Sequence, residues 1–197
     1  MSLASISRSH VQRIARGTRR FSTNTRGVAA VEFAMLVPIL LAAFLGCFEF
    51  SQAITVNRRV TNIASETGDL VAQVQTLTTA DMNDIMNVTK TLLQPYDTTK
   101  VKVTITSVTA NATSGAVTVD WSFGFQGGAT HAQGSSLAIP TGLIAKGQSL
   151  IVAETSYFFK PTIGQYLIGG ITLGDKFYLS PRKGAPCVQL DANICRT

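Results

Sequence analysis

Apolar residues fill a long, almost uninterrupted stretch near the start of the chain. Residues 28–50 read VAAVEFAMLVPILLAAFLGCFEF, and no charged side chain stands between Phe33 and Phe48. A helix of about 20 apolar residues is long enough to cross a bilayer, so this stretch predicts a transmembrane segment. Pro38 removes one backbone donor and can kink the helix, which membrane helices tolerate.

The pattern changes directly after this stretch. Apolar positions now recur at alternating steps of four and three, which places them on one face of a helix. These positions are Val56, Val60, Ile63, Thr67, Leu70, Val74 and Leu77. The pattern predicts that residues 51–77 continue the same helix as an amphipathic segment, slightly weakened by Gly68. A helix from about 28 to 77 would be roughly 75 Å long.

A second, shorter helix is predicted over about 80–94. Thr79 would cap its first turn, and Pro95 follows its end. Asp81 and Asp84 suit its N-terminal turn, where the helix dipole favours negative charge.

Beyond this helix the apolar period becomes two, which is typical of strands. Residues 101–105 and 117–125 predict a hairpin with its turn at 111–115 and a single apolar face. The apolar face of the second strand would carry Val117, Val119, Trp121, Phe123 and Phe125. A loop at 126–136 is followed by a strand at about 148–159 and a short strand around 176–180. The predicted fold class is α+β, with the amphipathic half of the long helix packed on a small antiparallel sheet.

The net charge of +6 is confined to the start of the chain. Residues 1–27 hold six Arg and no acid, whereas residues 28–197 are neutral overall. A nucleic-acid-binding domain would keep its own basic surface, so nucleic acid is not an expected partner. Because positive charge flanks membrane helices on the cytoplasmic side, residues 1–27 are predicted to be cytoplasmic and the C-terminal domain to lie outside.

Two cysteines flank a short loop near the C-terminus. Cys187 and Cys195 would pair as a disulfide in an oxidising compartment, and the alternative is a pair of free thiols in a loose end. A zinc site would need about four ligands, and no His stands near these two residues. No metal or cofactor is therefore expected.

Glu32 is the unusual residue of the apolar stretch, because a charge moved toward the bilayer centre costs at least about 2.5–3.5 kcal/mol. It stands five residues after Gly27, which ends the basic leader. The text RGVAAVEFAMLVPILLAAFLGCFEFSQAITVNRRVTNIASETGDLVA resembles the TadE family of pilus proteins of bacterial tight-adherence (Flp, type IVc) systems. The shared features are the basic leader, the Gly-to-Glu spacing, an aromatic residue after Glu32, an apolar stretch with proline, and Glu49-Phe50.

The resemblance implies a minor pseudopilin with a pilin-like arrangement of helix and sheet. Gly27 would end a leader removed by a prepilin peptidase, and Val28 would become the mature N-terminus. Glu32 and Phe33 would act in assembly. The partners implied are the inner membrane, the peptidase, other pilins or pseudopilins and the pilus assembly platform. Residues 78–197 would then be a periplasmic α+β domain.

Other interpretations of these segments stay open. The leader also fits a mitochondrial transit peptide over residues 1–25, and Glu32 and Glu49 could be ordinary interfacial carboxylates. A second function is a single-pass anchored binding module that uses the Gly-rich loop at 124–136 or the aromatic cluster at 157–159. An enzyme is not expected, because the sequence contains no Ser-His-Asp, H-E-x-x-H, Walker or G-x-G-x-x-G pattern.

Overall fold

The computed structural model of the protein describes residues 27–183, 186–192 and 195. The predicted leader therefore lies outside the described residues except for Gly27. The chain divides into two compact units, residues 1–47 and 48–197. Within the described part, the long helix α1 begins in the first unit, and every strand belongs to the second.

The element order agrees with the predicted helix–helix–sheet arrangement. The helices are α1 (Val28–Ala72), α2 (Thr79–Leu93) and the single turn α3 (Gln165–Ile168), with a 3₁₀ turn at Thr98–Lys100. The strands are β1 (Thr76–Leu77), β2 (Val101–Ala110), β3 (Val117–Phe125), β4 (Ser149–Phe159), β5 (Ile171–Leu179) and β6 (Gln189–Leu190). The last strand of the main sheet is longer than the predicted 176–180.

The predicted end of α1 at residue 77 is wrong, because the helix stops at Ala72. The carbonyl of Ala72 accepts a hydrogen bond from the backbone N–H of Arg182, which comes from a distant part of the chain. Leu77 then pairs with Leu190 in the small parallel ladder of β1 and β6. Those backbone partners compete with continued helix, and sequence periodicity cannot reveal them.

The amphipathic half of α1 supplies one side of the core. Its buried residues are Val56, Val60, Ile63, Ala64, Thr67, Gly68, Val71 and Ala72. Leu70 was predicted to be on this face, but it is 40% exposed, and Val71 is buried in its place. The real stripe therefore drifts from the predicted one after Thr67, since a straight helix has 3.6 residues per turn.

Helix α2 begins at Thr79, and its N-cap is Thr78 rather than the predicted Thr79. The backbone N–H of Asp81 donates to Thr78 Oγ1 at 3.2 Å, and Thr78 N–H donates to Asp81 Oδ2 at 2.8 Å. This reciprocal pair is a capping box. The hydrogen bond from the Thr78 N–H holds the pKa of Asp81 below its ordinary value of 3.8.

Four antiparallel strands form the main sheet in the order β3–β2–β4–β5. Its helix-facing side is lined by apolar residues from β2 and β4, including Val103, Ile105, Ile151 and Ala153. These residues pack with the buried stripe of α1 in one core cluster. The α+β fold predicted from the sequence is confirmed.

A β-bulge in the β2–β3 pair changes which residues share a face. Ser107 pairs with Trp121 and Val108 with Val119, so Asp120 is the extra residue. Trp121 then belongs to the helix-side core, while Val119 joins a second cluster on the opposite side of the sheet. The predicted single apolar face of this strand is therefore wrong.

Asp120 is fully buried and accepts hydrogen bonds from Ser107 Oγ at 3.1 Å and Thr109 Oγ1 at 2.7 Å.

The connection between β3 and β4 covers this second cluster. Leu137, Ile139 and Ile144 from the connection pack on Val108, Val119, Leu150 and Val152. The sheet therefore has an apolar core on both of its faces. The sequence predicted only a polar loop at 126–136 and did not indicate this second core.

Candidate assembly site on the N-terminal helix

The first half of α1 exposes its apolar side chains all round. Exposed residues with large apolar side chains are Val28, Val31, Phe33, Met35, Leu36, Val37, Ile39, Leu40, Leu41, Phe44, Phe48 and Phe50. The most apolar 18-residue window of α1 is 0% buried, and the helix is long and apolar enough to cross a membrane. Such an uncovered surface would be unfavourable in water, which makes it consistent with a single-pass membrane anchor.

The predicted processing residues stand at the start of this helix. Gly27 has no atom within 4 Å of the position a Cβ would take, and Val28 is 50% exposed. Among the described residues, no atom therefore crowds the Gly27 end of the Gly27–Val28 bond. A peptidase that must surround a scissile bond needs this kind of open flank.

Glu32 lies one helical turn after Val28. A spacing of four residues puts their Cβ atoms about 5–6 Å apart on the same face. Glu32 and Phe33 are exposed, and within the described residues Glu32 has no hydrogen-bond or ion-pair partner. The structure thus brings Gly27, Val28, Glu32 and Phe33 together at one end of α1.

Glu49 behaves differently, and sequence reasoning missed its contact. Its carboxylate accepts a hydrogen bond from the backbone N–H of Ile163 and two from that of Gly164, at 3.2 Å to Oε1 and 2.9 Å to Oε2. Glu49 is half-buried and lies 115 residues from Gly164. No local pattern in the sequence announces a partner at that distance.

The helix that carries Glu32 and Glu49 is also the part of the chain that matches a known family. Residues 27–69 match the family model described as TadE-like protein. This part of the chain is therefore similar to TadE-like proteins. The chain matches none of the curated proteins and none of the solved structures.

The match begins at Gly27 and contains the Glu32 and Glu49 positions. It ends at residue 69, one residue after Gly68, where α1 is packed on the sheet. The strands of the second unit lie outside the match.

A polar cluster lies on the side of the sheet opposite α1. Thr104, Glu154 and Lys176 are aligned across β2, β4 and β5. Lys176 Nζ lies 2.5 Å from Glu154 Oε1, and His131 Nε2 lies 3.0 Å from Glu154 Oε2. Burial acts to raise the pKa of Glu154, but the hydrogen bonds from Lys176 and His131 outweigh it and hold that pKa below 4.5. The hydrogen bond between Lys176 and Glu154 also raises the pKa of Lys176.

This cluster borders an open cavity of about 460 Å³. Its walls include Lys102, Gly128, Glu154 and Lys176. The sequence pointed to the neighbouring loop at 124–136 but not to the cluster, since only strand register brings Glu154 and Lys176 together. Within the described residues no group of three or more His, Cys, Asp and Glu could hold a metal ion.

The aromatic cluster at 157–159 belongs mainly to the core. Tyr157 and Phe159 are 4% and 6% exposed, while Phe158 is 47% exposed. Two of the three rings are therefore unavailable to a ligand.

The two cysteines near the C-terminus form a disulfide. A disulfide joins Cys187 and Cys195, whose Cα atoms are 5.6 Å apart. Between them, the carbonyl of Val188 accepts a hydrogen bond from Trp121 Nε1 at 2.7 Å. The segment is thus linked to the helix-side core of the sheet.

Proposed function

We propose that this protein is a minor pseudopilin, a structural and assembly component of a tight-adherence pilus. One observation carries the proposal: an exposed Glu32, without a partner in the described residues, stands one turn after the Gly27–Val28 bond on an uncovered apolar helix. The TadE-like match over residues 27–69 supports it.

The mechanism begins with cleavage after Gly27 by a prepilin peptidase on the cytoplasmic side of the inner membrane. Cleavage creates an ammonium group on Val28, four residues from Glu32. An ion pair between this ammonium and Glu32, in the same or a neighbouring subunit, offsets part of the desolvation cost of both charges. Phe33 and the exposed apolar side chains around it then pack against sister helices.

The proposed topology is a single span with residues 1–27 in the cytoplasm and the sheet-bearing unit in the periplasm. The concentration of six Arg in the leader supports this orientation. The disulfide between Cys187 and Cys195 is compatible with an oxidising compartment. The proposed partners are the peptidase, other pilins or pseudopilins and the pilus assembly platform.

Mass spectrometry of the N-terminus of the protein from piliated cells tests the processing step. We expect a mature chain that begins at Val28. A chain from assembled pili that still carries residues 1–27 would overturn the proposal.

Substitution of Glu32 tests the assembly step. We expect Glu32→Gln to insert in the membrane at normal levels but to lower piliation, because the amide cannot form the ion pair. Glu66→Gln is the matched control, since Glu66 is an exposed glutamate in the other half of α1. Normal piliation in Glu32→Gln cells would contradict the assembly role.

The cavity beside Glu154 favours a second candidate, a membrane-anchored periplasmic binding module that is unrelated to pili. It would bind a ligand at the cavity next to the Gly-rich loop 124–136. This function needs no cleavage after Gly27, so an uncut leader together with normal piliation on deletion of the protein would favour it.

A further inference from the structure

The connection between β4 and β5, residues 160–170, is held against α1 at Glu49. The Glu49 carboxylate accepts the hydrogen bonds from Ile163 and Gly164 described above. A Cβ at Gly164 would lie 2.8 Å from Glu49 Oε2, so a larger residue at this position would displace the Glu49 carboxylate. Charge-assisted hydrogen bonds to backbone N–H groups are among the stronger ones in proteins.

The connection is also ordered by its own hydrogen bonds. Gln165 Nε2 donates to the carbonyl of Thr162 at 2.8 Å, and the N–H of Tyr166 donates to the carbonyl of Ile163 at 3.2 Å. Pro161 is buried at the start of the connection. Glu49 therefore holds a segment that has its own hydrogen-bonded structure. Its hydrogen bonds fix the position of that segment along α1.

Two large apolar side chains on this segment are exposed. Tyr166 is 84% exposed and Ile163 is 46% exposed. Ile171, at the start of β5, is 39% exposed and lies on the helix side of the sheet, because it pairs with the core residue Phe159. We call Ile163, Tyr166 and Ile171 the apolar patch. These side chains are therefore not covered by the core of the second unit.

The position of the apolar patch indicates what covers it. Glu49 is the last residue but one of the apolar stretch 28–50, and its neighbours Phe48 and Phe50 are 55% and 69% exposed. The connection therefore lies level with the end of the segment that would leave the bilayer. Aromatic side chains such as that of Tyr166 are enriched at this depth.

The charge of the segment also suits a lipid surface. Residues 155–174 contain no Asp or Glu and a single basic residue, the exposed Lys160. Nothing in this run would repel phospholipid phosphates, and Lys160 can reach them while its stem lies along apolar surface.

From these observations we propose that the β4–β5 connection is a membrane-contacting element. The apolar patch enters the interfacial region of the bilayer, and Glu49 is the positioning residue that holds the connection at that depth. This inference rests on the proposed function insofar as it requires α1 to span the membrane.

Depth-dependent fluorescence quenching in full-length protein tests the contact. The protein is reconstituted in phosphatidylcholine–phosphatidylglycerol vesicles with or without bromine on the acyl chains near the headgroup. Tyr166→Trp reports on the patch, and the unsubstituted chain gives the background of Trp121, its only tryptophan, which is buried. Leu143→Trp is the control on an exposed residue of the β3–β4 connection, and Phe44→Trp is the control within the span.

We expect Tyr166→Trp and Phe44→Trp to lose fluorescence in brominated vesicles, and Leu143→Trp to keep it. Quenching of Phe44→Trp without quenching of Tyr166→Trp overturns the inference and leaves the membrane anchor intact. If neither is quenched, the anchor and the inference both fail. If bromine does not quench Tyr166→Trp, and its emission changes only when other pilus subunits are added, the patch is a protein interface and the lipid contact is excluded.

Variants at Glu49 test its positioning role in the Tyr166→Trp background. Glu49→Met removes the acceptor for both backbone N–H groups, whereas Glu49→Gln keeps one oxygen. We expect Glu49→Met to lose most of the lipid-dependent quenching and Glu49→Gln to keep part of it. Equal quenching in all three proteins would show that Glu49 does not set the depth of the connection.

Discussion

Two glutamates of the same helix have different environments in this protein. Glu32 is exposed and lacks a partner among the described residues, while Glu49 accepts hydrogen bonds from Ile163 and Gly164. A carboxylate in an apolar helix is costly unless it is paired, so each of these residues needs a compensating contact. Glu49 has its contact within the chain, and the proposal places that of Glu32 at the cleaved N-terminus.

Glu154 predicts an acid-sensitive contribution to stability. Its pKa in the folded protein lies below 4.5, so the folded state binds fewer protons than the unfolded state in this range. The stabilisation is therefore complete at neutral pH and is lost as the pH falls below 4.5 through the lower folded pKa. We expect Lys176→Met to lower the melting temperature at neutral pH and to reduce its further fall on acidification. A parallel acid dependence in both proteins would contradict this assignment. Lys102→Met, a lysine in the same cavity wall, is the control.

At the scale of elements, close packing of α1 on the sheet depends on a glycine. A Cβ at Gly68 would lie 2.6 Å from Leu179 Cδ1 and 3.0 Å from Ala153 Cβ. In isolation a helix glycine is only a weak point. In this structure it permits the contact between α1 and the strands β4 and β5.

Gly68→Val is expected to destabilise the protein by about 1–3 kcal/mol, because the added methyl groups overfill the contact. Thermal denaturation of the full chain in detergent measures the effect. Gly46→Val is the matched control, since no atom lies within 4 Å of the Cβ position at Gly46. Equal stability of the two variants would show that the helix does not need this close approach.

The capping box of α2 gives a second prediction for an element. Thr78→Ala removes the side-chain acceptor for the Asp81 N–H and should cost about 1 kcal/mol, while Thr78→Ser should retain most of the stability. Urea denaturation of the full chain in detergent measures both. Thr91→Ala serves as the control at an exposed site in the same helix, and a cost there as large as at Thr78 would exclude the cap as the cause.

At the scale of the whole molecule, the two units satisfy their apolar residues by different means. The first leaves its helix uncovered, which suits a membrane or a bundle of helices. The second has a core on both faces of its sheet, with the C-terminal segment linked by β6, the disulfide and the Trp121 hydrogen bond. The second unit thus buries most of its large apolar residues within its own fold.

Loss of the disulfide is predicted to weaken the second unit. The double variant Cys187→Ser with Cys195→Ser should lower the free energy of unfolding by about 2–3 kcal/mol, the loop-closure term expected for so short a loop. Chemical denaturation in detergent without reductant measures it. Cys47→Ser is the control, because Cys47 is an exposed free cysteine. No difference between the variants would show that the pair does not stabilise the fold.

The sequence alone determined the features that depend on neighbours along the chain. The apolar stretch 28–50, the Gly27-to-Glu32 spacing and the main strands follow from local composition and period, because one helix or strand face repeats every few residues. The α+β class follows from the order of these elements. The TadE-like resemblance, carried by the same local residues, is matched over residues 27–69.

The features that join distant residues depend on how the chain folds. The end of α1 at Ala72 depends on Arg182, the face of Val119 on a bulge opposite Ser107 and Val108, and the contact of Glu49 on a turn 115 residues away. Each is a choice between competing hydrogen-bond or packing partners, and the partner that wins is set by proximity in the folded chain. Periodicity carries no information about that proximity.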